Sequence, residues 1–493
     1  MSSAFLQSET AVREPPQGKN GRWPVYVDLD GTLIRSDLLI ESVLKLAKTH
    51  PFSILRLPGW LGRGKARLKA EVAERIDLNA AGLPYDPDVL AYVREMKAEG
   101  RRVVLATASD RKFAEAVAAH LGLFDKVLAS DGKTSLSGIR KLAAIRADAG
   151  GAFCYVGNSR VDRPIWKSAA AAVVVSGDRG LARQAAADTR LDRQIVPPSL
   201  GLAEFLKAVR VHQWAKNILI AMPFLPIARQ IPAGMWGALL AGFVCFGFCA
   251  SSVYLLNDLL DLEADRMHPR KKMRALASGR MPLTTALVLI PMLLAGGFGL
   301  AALAEPWPFT AVLAGYWLCT LAYSLRLKRH MVVDVTVLAG LYTLRILAGS
   351  AILAIAPSFW ILAFSIFLFH SLACLKRVVE LQHVQQRQEA RASGRGYFVA
   401  DKPLVQMQGV ATGMLSVLVF ALYINDPTAH ARFAQPYALW ALCPLLLFWI
   451  SRIWVVCARG ELQDDPVVFA LKDRNSRIIG ALALAALLAA TYL

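Results

Sequence analysis

Cysteine is scarce and unpatterned: seven in 493 residues (154, 245, 249, 319, 374, 443 and 457), with no CxxC spacing and most of them inside apolar runs. That excludes a disulfide framework and a zinc ribbon, and leaves small buried hydrophobes in a reducing or lipid setting. Charge is also scarce, at 19% of the chain, and unevenly spread. Residues 1–200 carry 30 Lys+Arg and 22 Asp+Glu, an ordinary soluble balance; 201–493 carry 26 and 15, mostly in short clusters between long apolar runs. No hydrophilic stretch in the second half is long enough to form a basic nucleic-acid-binding face, so the net charge of +19 does not point to nucleic acid. The first 22 residues lack the apolar core of a signal peptide and read as a disordered leader, leaving the soluble half in the cytoplasm. What remains is a soluble domain over 23–196, a linker over 197–209, and a polytopic membrane domain over 210–493.

From Trp23 onward, Val-rich segments alternate with helical patterns. PVYVDLD, 101–109, 151–159 and 171–177 read as strands of a parallel, doubly wound α/β sheet whose site lies at the strands' carboxyl ends. The polar residues following those strands form an ordered set: Asp28-Leu29-Asp30-Gly31-Thr32, then Thr107 and Ser109, then Lys133 or Lys141, then 157–162 ending in Asp162. Two carboxylates one residue apart suit phosphoryl transfer, one as nucleophile and the other as acid/base. A hydroxyl and a lysine can hold phosphate oxygens, and a distant Asp completes an oxygen-only Mg²⁺ site.

These four motifs resemble those of the haloacid-dehalogenase-like phosphatase superfamily over roughly 23–185. The resemblance implies Asp28 as nucleophile and Asp30 as acid/base. It further implies phosphate binding by Thr107 and Lys141, Mg²⁺ on Asp28, Asp30 and Asp162, and a substrate-selecting helical cap at 35–98. Lys141 is preferred to Lys133 because it opens a helical segment. Asn158 stands where the superfamily has Asp. A domain that has lost activity and serves as a scaffold is the alternative.

In the second half, apolar stretches fall at about 215–228, 234–256, 283–303, 308–325, 332–355, 358–375, 404–424, 436–457 and 478–492, nine candidate spans. The polar loops at 258–282, 326–330, 376–402 and 452–477 hold 20 Lys+Arg, whereas the alternate connections hold two, Arg229 and Arg432. This asymmetry puts the long loops on the cytoplasmic side of the inner (cytoplasmic) membrane. Asn257, Asp258, Asp261 and Asp265 recur at spacings of three and four, so they share a helical face and need a cation between them. Arg266, His268, Arg270, Lys271, Lys272 and Arg274 follow, a cluster suited to phosphate. Asp334 and Arg345 lie in or beside apolar stretches, where ionisable residues tend to be functional. A third polar element spans 391–402.

The pattern NDxxDxxxD after the second of nine spans resembles the UbiA-type prenyltransferase superfamily, over roughly 205–493. The details are most similar to its polyprenyl-phosphate (decaprenyl-phosphate) phosphoribosyltransferase branch: RVHQWAKN at 210–217, DRMHPRKKMRALASG at 265–279, YSLRLK at 323–328, Asp334, and Arg345. The resemblance implies an all-α membrane domain of about nine transmembrane helices. It implies Mg²⁺ on Asp258, Asp261 and Asp265, with Asp258 and Asp261 catalytic. Substrate contacts would come from Lys216, Asn217, Asn257, Arg266, Lys271, Lys272, Arg274, Tyr323, Lys328, Asp334 and Arg345. The expected substrates are phosphoribosyl diphosphate and a polyprenyl phosphate, with the fused phosphatase removing the 5-phosphate of the product. The alternatives are a prenyltransferase acting on an aromatic or quinone acceptor, and a membrane scaffold that binds metal without catalysis.

Overall fold

The computed structural model describes residues 23–492 except 229, 389, 392–393, 428–432 and 463–465. The leader at 1–22, Arg229, Arg432 and part of the 391–402 element therefore lie outside the described residues. Two compact units emerge: residues through Ala208 together with Leu256–Val288, and Val209–Leu255 together with Leu289–Leu493.

In the first unit, six parallel strands are ordered β3-β2-β1-β4-β5-β6, with β1 at Val25–Val27, β2 at Val103–Asp110, β3 at Lys126–Ser130, β4 at Cys154–Gly157, β5 at Ala171–Val175 and β6 at Arg190–Ile195. β1 is central, pairing β2 on one side and β4 on the other. Strands buried on both faces need unbroken apolar runs, and Val25, Tyr26 and Val27 are all fully buried. The chain leaves β1 straight into Asp28, so the first carboxylates emerge at the carboxyl edge where strand order reverses, the usual ligand position in open α/β sheets. The residues between β1 and β2 fold as the expected helical cap, including Leu38–Thr49, Lys65–Arg75 and Pro87–Ala98.

The membrane unit contributes most of the eight described helices that are long and apolar enough to cross a membrane, from Ala233–Leu260 to Arg474–Tyr492. The stretch expected as the first span, 215–228, falls in Val211–Ile227, which winds as 3₁₀ turns over 17 residues. Pro223 and Pro226 remove two backbone donors that an α-helix would need there. The segment packs against Val333–Ile352.

Candidate active sites

At the carboxyl edge of the sheet the structure brings together Asp28, Asp30, Thr107, Lys141 and Asp162. Asp28, Thr107, Lys141 and Asp162 are buried, and Asp30 is half-buried. Lys141, in the first turn of Ile139–Ala149, places Nζ 2.9 Å from Asp28 Oδ1 and 4.0 Å from Asp162 Oδ1, and donates to the Tyr155 hydroxyl at 3.0 Å. That hydroxyl donates in turn to Asp162 Oδ1 at 2.9 Å. Asp162 Oδ2 accepts from the backbone N–H of Asn158 and Ser159 and from Ser159 Oγ, so this carboxylate holds the 157–162 turn. Thr107 Oγ1 accepts from Ser109 N at 3.0 Å. Gly31 has a φ of 70°, a backbone that favours glycine, and a Cβ there would lie 2.2 Å from Asn158 Nδ2, so the turn after Asp30 packs closely against the 157–162 turn.

The two paired carboxylates stand in different environments. Burial pushes the Asp28 carboxyl up; Lys141 pulls it back down, and Asp162 adds to the rise. Asp30 is pushed up to about 6 by burial, with the Asp37 carboxylate adding to it and the Ser109 hydroxyl opposing. Asp30 Oδ2 accepts from Ser109 Oγ at 2.5 Å and Oδ1 from Leu38 N at 2.8 Å. A carboxyl that keeps a proton to about pH 6 beside one held against a lysine is the pairing that general acid and nucleophile require.

Lys69 is a functional candidate that motif reading passes over. It reaches down from the cap helix Lys65–Arg75 and donates to Ala108 O at 2.7 Å, close enough to feel the charges of Asp30, Asp37, Lys141 and Asp28. Burial lowers its ammonium pKa. It lies in a region without a motif, so only the fold could place it.

The aspartate segment begins in the last turn of the helix Ala233–Leu260, which holds Asn257 and Asp258, and runs through Asp261 at the N-cap into Leu262–Met267, which holds Asp265. Arg274 Nη1 donates to Asp258 Oδ1 at 3.1 Å and to Asp265 Oδ2 at 2.6 Å. Lys271 Nζ lies 3.9 Å from Asp265, and Lys48 Nζ 3.3 Å from Asp261. Arg266 has its guanidinium committed to Glu41 and to Ala277 O rather than turned outward with Lys271 and Lys272, which are exposed. Among the described residues, no three Asp, Glu, His or Cys side chains are gathered as a metal cage. Mg²⁺ is ordinarily held by only one or two carboxylates plus waters and substrate phosphates. Asp258 and Asp265 converging on one cationic nitrogen fit that requirement.

In the membrane unit, Arg345 is buried and holds three partners: Nε donates to Asn217 Oδ1 at 3.0 Å, Nη1 to Leu341 O at 2.6 Å and Nη2 to the Tyr316 hydroxyl at 2.9 Å. Asn217 Nδ2 donates to Phe243 O. Lys216 Nζ lies 5.8 Å above the Tyr342 ring, and the Arg210 guanidinium 4.8 Å above Tyr254. Arg210 takes a left-handed backbone, φ 56°, to do so. Arg210, Lys216, Arg345 and Lys376 all act electrostatically on the Tyr254 hydroxyl. Lys376 and the three tyrosines carry no motif of their own.

Asp334 belongs to a second cluster. It accepts from the Tyr323 hydroxyl at 2.7 Å and from Arg395 Nη1 at 3.1 Å, and Arg377 Nη2 lies 2.8 Å from its other oxygen. Glu380 pairs with both arginines. Val332, in a left-handed backbone at φ 65°, donates its N–H to Tyr397 beside this cluster. Arg395 and Tyr397 come from the third polar element, while Lys328 sits half-buried in the turn Leu327–Arg329. An apolar cavity of about 340 Å³ lies elsewhere in this unit, lined by residues that include Ile346, Phe364, Phe420, Leu442 and Leu487.

The model of the UbiA prenyltransferase family matches residues 218–472, just over half of the chain. The chain belongs to the UbiA prenyltransferase family. With eight helices of spanning length among the described residues, this UbiA protein is a multi-pass membrane protein. A haloacid dehalogenase-like hydrolase model matches 25–167, so the N-terminal domain is of that kind. Among relatives, an uncharacterized protein, y4nM, of Sinorhizobium fredii is 37% identical over 466 residues, 93% of this chain and 89% of its own. The nodulation protein NoeC of Azorhizobium caulinodans is 32% identical over 277 residues, 56% of this chain and 89% of its own. The decaprenyl-phosphate phosphoribosyltransferase of Mycolicibacterium smegmatis is 30% identical over 293 residues, 57% of this chain and 91% of its own.

Proposed function

We propose that this UbiA-family chain transfers 5-phosphoribose from phosphoribosyl diphosphate to a polyprenyl phosphate, and that its N-terminal domain then removes the 5-phosphate. The observation that carries the transferase reading is the gathering of Arg210, Lys216, Arg345 and Lys376 about Tyr254. Cationic side chains gathered in a membrane protein suit a polyanionic ligand, and both substrates are polyanions. Similarity to decaprenyl-phosphate phosphoribosyltransferases supports this choice of donor and acceptor. By the Lys and Arg count of the loops, the chemistry lies on the cytoplasmic side of the inner membrane.

Asp258 and Asp265 would hold Mg²⁺, with Asn257 and Asp261 as further oxygen ligands; the ion supplies charge neutralisation for the departing diphosphate. Arg274, Lys271 and Lys272 supply donors to its oxygens. As the bond from ribose C1 to the diphosphate breaks, C1 gains oxocarbenium character and an oxygen of the acceptor phosphate forms the new bond. An ionised phosphate monoester needs no general base, in keeping with the absence of a His or Glu motif for that task. The apolar cavity suits part of the polyprenyl tail. In the N-terminal domain Asp28 attacks the 5-phosphorus while Asp30 gives its proton to the departing ribose oxygen. Water then cleaves the aspartyl-phosphate, and Asp30 takes that proton back.

The test is incubation of the purified chain in nanodiscs with labelled phosphoribosyl diphosphate and polyprenyl phosphate. Labelled lipid is expected, and EDTA should abolish it. Prenylation of 4-hydroxybenzoate from farnesyl diphosphate, with no labelled lipid, would replace this reading with aromatic prenyl transfer.

A further inference from the structure

The helix Leu38–Thr49 starts at the phosphatase-like site, where Leu38 N donates to Asp30 Oδ1. Glu41, Lys45 and Lys48 follow at spacings of four and three, which puts them on one face. Against that face lie Arg266, Glu263 and Asp261 of the aspartate segment, in reverse order. Glu41 takes Arg266 in a two-pronged pair, Nη1 to Oε2 at 2.8 Å and Nη2 to Oε1 at 2.7 Å, with the side chains only 10% and 7% exposed. Lys45 Nζ lies 3.0 Å from Glu263 Oε2. Lys48 Nζ lies 3.3 Å from Asp261 and donates to Leu260 O at 2.9 Å.

The signs therefore run minus, plus, plus on one helix and plus, minus, minus on the other. Sliding the segment toward Glu41 by one position in this series would set Glu41 against Glu263, so the charges fix the register as well as the contact. A second feature marks the same docking. Gly279 has a φ of 71°, and a Cβ there would lie 2.5 Å from both Arg35 Cβ and Arg35 O, three residues ahead of the first residue of the helix.

We propose that this stripe is a clasp through which the phosphatase-like domain sets the position of the aspartate segment, with Glu41, Lys45 and Arg266 as positioning residues for the transferase. The proposal rests on the phosphoribosyl-transfer reading for its activity readout. Asp265 sits next to Arg266 in the short helix Leu262–Met267 and shares Arg274 with Asp258, so movement of Arg266 moves the carboxylates themselves. The phosphatase-like domain is then part of the transferase's architecture even when it cleaves nothing.

Charge reversal across the clasp tests this on the intact chain in nanodiscs. Glu41→Lys alone and Arg266→Glu alone should each raise the KM for phosphoribosyl diphosphate roughly 10-fold, the usual cost of losing an outer-shell partner of a ligand. The double variant should return to within about threefold of wild type, since the pair is restored with its signs exchanged. An Arg266 that bound phosphate directly could not be rescued in this way. Lys45→Glu with Glu263→Lys provides an independent pair should a Glu41 or Arg266 variant fail to fold. Hydrogen exchange over 257–267 should quicken in the single variants and slow again in the doubles. Single variants with wild-type KM and wild-type exchange, or doubles no better than the worse single, overturn the clasp. A wild type that labels no lipid defeats the transfer reading instead, and the exchange rates then decide the clasp alone.

Discussion

Arg377 and Asp334 face each other with neither side chain exposed at all, Nη2 to Oδ2 at 2.8 Å. The pair is the centre of a balanced set, two arginines (377 and 395) and two acids (334 and 380), with Tyr323 donating to the buried aspartate. Removing one partner of a buried pair strands the other charge, which costs about 3 kcal/mol or more. Asp334→Leu should therefore lower thermal stability sharply, since two guanidiniums would remain with one carboxylate. Asp334→Leu combined with Arg377→Met should recover much of the loss. Thermal unfolding of the detergent-solubilised chain checks this, and a single variant as stable as wild type would remove the cluster from any structural role.

Lys216 tests the polyanion site with less risk to the fold, because methionine keeps most of the apolar stem while deleting the charge. Lys216→Met should raise the KM for phosphoribosyl diphosphate about 10-fold, equivalent to about 1.4 kcal/mol of charge-assisted contact. Steady-state transfer assays give the value. An unchanged KM takes Lys216 out of substrate contact.

The phosphatase step should report Asp30 directly. In the proposed step Asp30 is the acid and must carry a proton when the ribose oxygen leaves, so its contribution should be full below about pH 6 and should fall as pH rises through that value. The Asp37 carboxylate helps keep the proton on, so Asp37→Asn should move the inflection downward; asparagine can still cap the helix that Asp37 opens. A pH profile of single-turnover phosphate release measures both. An inflection that stays in place in Asp37→Asn would mean that the titrating group is not Asp30.

The parts of these sites that were legible in the sequence were those written as local spacing. Asp28 and Asp30 after a Val-rich strand, the Asn257 to Asp265 stripe and the basic run after it could all be read that way, and so could four of the six strands. β3 and β6 were not, because an edge strand such as RLDRQI is half solvated and loses its apolar signature. Lys69, Lys376 and Arg377 acquire meaning through partners far along the chain, such as Ala108 for Lys69 and Asp334 for Arg377, which no spacing rule reaches; only Arg377 with Glu380 is an i, i+3 pair. The stripe of Glu41, Lys45 and Lys48 looks like an ordinary solvated face until the reversed charges of Arg266, Glu263 and Asp261 are laid against it. The Val211–Ile227 segment is apolar enough to suggest a span, yet its two prolines work against a regular helix.

The two chemistries can be separated by one atom. Asp28→Asn replaces the nucleophilic oxygen with an amide that cannot form an aspartyl-phosphate. Lys141 then loses the nearer of its two carboxylates, at 2.9 Å, while Asp258, Asp265 and the cations about Tyr254 are untouched. The variant should still attach phosphoribose to the lipid, and its product should keep the 5-phosphate and migrate with the extra negative charge on ion-exchange separation of labelled lipids. Wild type should yield the less charged ribosyl lipid. Asp30→Asn should resemble Asp28→Asn, because the ribose oxygen would have to leave unprotonated. Asn158 stands where the haloacid-dehalogenase-like pattern has Asp, so the wild-type turnover is itself part of the measurement. If wild type and Asp28→Asn give the same phosphorylated lipid, the N-terminal domain does not act on this product, and the two steps are not coupled in one chain.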